Sequence, residues 1–297
     1  MTKMLKRTLL PTLVLLFSAA SSQADLPADF QSAAKLKKAR KYQEAAAVYE
    51  KLGKAQTKDV NLADLCYVYA AEALASGKNL NGALEMTKAI REPGVREFAR
   101  MQAYSLSGNS RQLKEVFKDA DLSAWPDQYA YLGYFMRGNA APGLAGIKDL
   151  EQALARCGSD VSTRDAVRRN LAERYIKFKK YEQAHAVLDQ LIATAAKGGA
   201  PYLTGVRGKA VLLAMEKKFE DADRTLALID RKGDWKDRSQ YFWFIITKAK
   251  IETEKGNRAE AEKLYDEAFG MKEIAPNIIR FQKLDAAKKF PKYKEKK

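Results

Sequence analysis

A short apolar pattern returns along this chain of 297 residues, and its recurrence limits the fold more than any single motif does. Residues 41–52, Lys-Tyr-Gln-Glu-Ala-Ala-Ala-Val-Tyr-Glu-Lys-Leu, come back at 180–191 as Lys-Tyr-Glu-Gln-Ala-His-Ala-Val-Leu-Asp-Gln-Leu, and in related form at 218–222 and 257–268. Each copy sets down a small residue, a large apolar one four later, and an apolar or small one three further on. The sets are Ala45/Tyr49/Leu52, Ala184/Leu188/Leu191, Ala222/Leu226/Ile229 and Ala261/Tyr265/Ala268. Spacings of four and three put all three residues on one stripe of a helix. The small residue lets a neighbouring helix approach, and the bulky one fills the groove beside it.

Weaker copies fill the gaps at Ala83/Thr87/Ile90, Leu113/Phe117/Ala120 and Gly143/Ile147/Leu150. Each follows another helical stretch, with turn signals at Gly77-Lys78-Asn79, Gly108-Asn109, Gly138-Asn139 and Gly256-Asn257. Anchors at 45, 83, 113, 143, 184, 222 and 261 lie 30 to 41 residues apart, so the unit is a helix–turn–helix hairpin used about seven times.

The small/aromatic signature resembles the tetratricopeptide repeat (TPR) family over nearly all of residues 28–275. It is clearest at Tyr42/Ala45/Tyr49 and Tyr175/Tyr181/Ala184, with Ala33 and Ala172 as the small residues of the preceding helices. The third and fourth units depart from it, because Leu113 replaces the small residue and Trp125-Pro126 interrupts the chain. The resemblance implies an all-α, right-handed α-hairpin solenoid over residues 25–275, with a concave face that takes a peptide or partner helix. The family's groove positions fall on Phe30, Lys37 and Lys38, then Arg169, Glu173 and Lys177, then Arg207, Val211 and Met215, and finally Trp243, Ile246 and Lys250. Several cations among apolar groups suit a partner segment bearing carboxylates. The equally weighted alternative is that these lysines and arginines only solvate helix surfaces.

The ends add two expectations. Lys3, Lys6 and Arg7 precede an apolar run from Leu9 to Phe17 and then small residues to Ala24. That order marks residues 1–24 as a secretory signal peptide, and the run is too short to span a bilayer. No cysteine for a lipid anchor lies near the expected cut, so the mature chain is expected to be periplasmic or secreted, without a transmembrane anchor. At the other end, residues 276–287 read as a capping helix and 288–297 as a disordered basic tail. The formal charge of +16 falls to +13 on loss of the signal, and residues 281–297 contribute seven lysines against two acids. A charge excess of this kind supports a second role, as a cationic module on anionic lipids, wall polymers or glycans. Export argues against a nucleic-acid partner.

Candidate chemistry is sparse. One histidine and two cysteines leave little for zinc, iron or triad sites, so no metal or cofactor and no enzymatic activity are expected. Ser32-Ala33-Ala34-Lys35 has the spacing of a serine–lysine acyl enzyme but lacks companion elements. Gly205-Val206-Arg207-Gly208-Lys209-Ala210 lacks the first glycine of a phosphate loop and its hydroxyl residue. His185 reads as a packed or solvated helix residue without a second ligand in helical reach. Cys66 and Cys157 sit about two repeats apart, so free thiols are favoured over a bridge. Most aromatics of the first helices read as packing.

Overall fold

The computed structural model describes residues 28–141, 143–230 and 237–294, and every regular element among them is helical. The proposed signal peptide lies outside the described residues. The chain divides into two compact units after Leu171. Unit 1 holds α1 (Ala28–Lys38), α2 (Tyr42–Ala55), α3 (Val60–Ser76), α4 (Leu80–Thr87), α5 (Pro93–Ser107), α6 (Ser110–Phe117), α7 (Asp127–Ala140) and α8 (Gly143–Arg156). The division falls inside α9 (Val161–Lys177). Unit 2 continues with α10 (Tyr181–Thr194), α11 (Ala200–Met215), α12 (Phe219–Ala227), α13 (Arg238–Lys255), α14 (Arg258–Phe269) and α15 (Pro276–Ala286). The recurrent motif occupies the even-numbered helices.

One turn is used six times. The residue at 40, 78, 108, 179, 217 and 256 is left-handed, with φ between 57° and 85°. The residue after it donates its N–H back to the carbonyl five positions earlier, as in Lys41 to Leu36, Asn109 to Tyr104 and Asn257 to Glu252. Those bonds close a Schellman turn on the odd helix. The same residue then acts as N-cap of the even helix, and its carbonyl receives the N–H four residues on, at Ala45, Ala83, Leu113, Ala184, Ala222 and Ala261. One helix therefore hands over to the next with no loop between them, and the motif's anchor closes the first turn of the new helix.

The fourth hand-over differs, and so does its register. Gly138-Asn139, expected as a turn, lies inside α7, and a Cβ on Gly138 would stand 3.0 Å from Leu150 Cγ and 3.1 Å from the Gly146 carbonyl oxygen. The glycine is there for close helix approach. In α8 Ile147 and Leu150 are buried as the pattern placed them, but the small residues beside them are Gly146 and Ala153 rather than Gly143. The Trp125-Pro126 interruption is a plug. Trp125 follows the 3-10 turn Leu122–Ala124, is buried, meets Phe98 edge-on, and lies so close to Gly133 of α7 that a Cβ there would fall 2.7 Å from the indole.

Within unit 1 successive helices pack together, and α3 also packs on α5 and α5 on α7. Phe30, Tyr49 and Tyr69 form a buried ring cluster at centroid spacings of 4.9–5.5 Å among Ala33, Ala45, Ala46 and Ala70. The alanines let the helices close around the rings, each of which contributes about 1.5–3 kcal/mol by burial. Cys66 and Cys157 are buried free thiols. Burial pushes Cys66 up to about 11 and raises Cys157 as well, which leaves both unreactive at neutral pH.

Within unit 2, α11 packs on α10, α12 and α13, and α13 on α14. The core gathers Val206, Ala210, Phe242, Ile245, Ala261, Tyr265 and Phe290. Phe290 belongs to the segment expected to be disordered. Phe290, Lys292 and Tyr293 instead pack on α14, with Phe290 and Tyr293 against Tyr265 and the Tyr293 hydroxyl 2.8 Å from Asp266, and residues 295–297 lie outside the described residues. Lys292 is held between Glu262 and Asp266 at 3.0 and 2.9 Å. The two aromatic residues carry the segment into contact, a signal that its lysine content hides.

Candidate functional site

The groove positions separate by unit. Phe30 is 4% exposed and belongs to the aromatic core, so it cannot line a groove. Lys37 is engaged, with Nζ 2.6 Å from Glu72 of α3 and 5.4 Å from the centre of the Tyr69 ring. Lys38 points to solvent. On α9, Arg169 is half-buried in unit 1, whereas Glu173 and Lys177 are exposed in unit 2. Ile246 is buried in the unit 2 core.

The remaining positions converge on α11 and α13, and two cross-helix contacts set the register. Arg207 Nη1 donates to Gln240 Oε1 at 2.9 Å, and Lys217 Nζ meets the Glu254 carboxylate at 3.3 Å. Residue numbers rise together across both contacts, so α11 and the turn after it run parallel to α13. Arg207, Val211 and Met215 stand four apart on one stripe of α11. Trp243 and Lys250 lie on α13 between the same two contacts. All five side chains are half-buried, apolar and cationic groups carried by two packed helices. Trp243 meets Phe242 edge-on at 5.2 Å and rests on the core with its inner edge.

The electrostatics of the strip are uneven. Lys250 Nζ is 3.1 Å from Asp285 of α15, and its charge is matched. Burial alone would raise Asp285, but Lys250 and Lys288 outweigh it and hold the carboxyl below its ordinary range. Arg207 has neutral partners instead, Gln240 through Nη1 and the Thr204 hydroxyl through Nη2 at 3.2 Å. Burial pulls the guanidinium down to about 10, and no carboxylate among the described residues opposes that shift. It remains protonated at neutral pH. A partly desolvated guanidinium without an anion retains most of its five-donor fork for a carboxylate brought from outside.

Pattern reading missed Gln240, Thr204 and Asp285. The signal that finds Gln240 and Asp285 is a sequence offset: Lys37–Glu72, Asn139–Asn170, Arg207–Gln240 and Lys250–Asp285 pair residues 35, 31, 33 and 35 apart on successive odd helices. The same offset gives His185 a partner absent from its own helix, since Nε2 lies 2.7 Å from Glu216 Oε2, 31 residues on.

The other candidate motifs are helical surface or core. Ser32 and Lys35 are exposed on α1, and 205–210 lies within α11 with Gly205, Val206 and Ala210 buried. Among the described residues no group of three or more His, Cys, Asp or Glu side chains gathers as a metal would need, and no helix is long and apolar enough to cross a membrane. Open depressions at Arg40/Tyr42/Leu74/Gly77 and at Lys209/Leu213/Arg224/Leu228 are shallow. No protein-family model, curated protein or solved structure matches this chain.

Proposed function

We propose that the chain is an exported, non-enzymatic adaptor of the TPR type, a right-handed stack of helix hairpins that binds an acidic segment of a protein or peptide along the α11–α13 strip. The family reading is supported by the six identical turns and by odd-helix contacts at offsets of 31 to 35 residues, the spacing expected of stacked hairpins. The observation that carries the binding site is Arg207, a half-buried guanidinium held by an amide and a hydroxyl, on one helical stripe with Val211 and Met215 and bonded to α13, which carries Trp243. A partner carboxylate there gains a charge-assisted bond with little loss of side-chain freedom, because the arginine is already positioned. Leucine-like side chains on the same segment would cover Met215 and Trp243.

In Gram-negative bacteria similar exported repeat proteins serve envelope assembly or secretion, and by that analogy the same process is the setting proposed for this one. The test is a photo-crosslinking residue at position 211, with Lys38 replaced as a control in unit 1. Capture from position 211 that is lost on Arg207→Gln supports the site. Capture that is indifferent to Arg207→Gln and lost from the Lys38 control locates binding in unit 1 and rejects it.

A further inference from the structure

From the outer face of α15 we infer that this protein also docks on anionic phospholipid bilayers. One side of α15 buries Gln282 and Ala286 and rests Ile278 and Ile279 on the unit 2 core. The opposite side presents Phe281 and Leu284, 46% and 49% exposed and one helical turn apart. Other large apolar side chains exposed on the described residues, such as Val116, Leu144 and Leu228, stand singly on their elements. Here two share a face.

The terminal segment that carries the pair is rich in lysine. Asp285 is the sole acid of α15, and Lys250 and Lys288 occupy its carboxylate at 3.1 and 2.8 Å. Just beyond the helix, Lys289 and Lys294 are exposed and make no ion pair with a described residue. Residues 281–297 hold seven lysines against two acids. Lys292 is tied to Glu262 and Asp266 and fixes the segment on α14, so the exposed lysines before and after it extend from a packed base.

This chemistry fits a lipid surface better than a protein one. Two side chains offer far less than the roughly 800 Å² per partner of a stable protein interface. They suit shallow insertion at the headgroup boundary, where flanking lysines reach lipid phosphates. The contact would be reversible and salt-sensitive.

Co-sedimentation of the purified chain with vesicles of phosphatidylcholine alone, or with about a third phosphatidylglycerol, tests this. The expected result is binding to the anionic vesicles only, reduced at least tenfold by Phe281→Asp with Leu284→Asp and at least tenfold by Lys289→Glu with Lys294→Glu. All four positions are exposed, and an unchanged circular-dichroism melt certifies the variants. Arg207→Gln should bind vesicles like the parent, which separates this surface from the peptide strip. Absence of binding by the parent, or binding that survives Phe281→Asp with Leu284→Asp, overturns the inference. If that pair instead converts a dimer to a monomer in light scattering without affecting vesicle binding, the face joins two copies and the lipid assignment is wrong.

Discussion

Arg207 on α11 donates to Gln240 on α13 at 2.9 Å, so a half-buried cation is held across two helices by a neutral amide. The arrangement positions the guanidinium while no carboxylate among the described residues matches its charge. An arginine kept only for stability would gain more from a carboxylate at position 240.

Replacing Arg207 by methionine should therefore leave stability unchanged or raise it by about 1 kcal/mol, because an apolar side chain of similar volume avoids the cost of desolvating a charge. Thermal melts check this. A loss of more than about 2 kcal/mol would mark Arg207 as a structural residue.

Lys37 and Glu72 give the contrasting case. Their contact is 2.6 Å, and the Glu72 side chain is 8% exposed. Lys37→Ala strands that carboxylate and should cost about 2–3 kcal/mol, while Lys37→Met combined with Glu72→Leu should recover most of the loss. A double-mutant cycle in urea measures the coupling, and additive effects would show that the pair is independent.

The hand-over turns predict stabilising changes. Lys78, Lys179 and Lys217 hold left-handed φ values of 69°, 57° and 65°, where Gly108 and Gly256 serve the equivalent turns. Each lysine-to-glycine change should raise stability by up to about 1 kcal/mol, as relief of left-handed strain exceeds the entropy of the added glycine. Lys78 and Lys217 carry further bonds, to the Leu106 carbonyl at 2.7 Å and to the Glu254 carboxylate at 3.3 Å, so Lys179 should respond more than either.

Acid should weaken unit 2 through carboxylates that titrate low. Burial pushes Glu216, Glu252 and Asp285 upward, but their lysine, histidine and asparagine contacts prevail and hold them below 4.5, 4.5 and 3.8. With folded values below the unfolded ones, their contribution is complete above about pH 5 and is lost as pH falls through the depressed values. Melting temperatures between pH 6 and pH 3 should fall less steeply in Glu252→Gln with Asp285→Asn than in the parent.

The helices and their number were legible because the small–large–small stripe is local. Ala45, Ala184, Ala222 and Ala261 are fully buried where the pattern placed them. Legibility failed where tertiary contact overrides the local signal: Gly138 looks like a turn residue but serves helix approach, and Leu113 at 2% exposure shows that the third anchor tolerates bulk. The packed end of the chain was hidden because net charge suggested solvation, while Phe290 and Tyr293 supplied the contacts. The division after Leu171 has no counterpart in the repeat spacing. Among the groove residues the sequence could rank types but not pairings. Lys37, Arg207 and Lys250 read alike as exposed cations, and only their partners one odd helix away, Glu72, Gln240 and Asp285, distinguish the one held by a neutral amide.

The most direct test of the account is fluorescence anisotropy with a labelled, end-blocked peptide of alternating glutamate and leucine, against the same peptide with glutamine for glutamate. The account predicts that the acidic peptide binds at least tenfold tighter, that Arg207→Gln abolishes that preference, and that Lys38→Gln leaves it intact. Equal affinity for the two peptides, or a preference that survives Arg207→Gln, would contradict it.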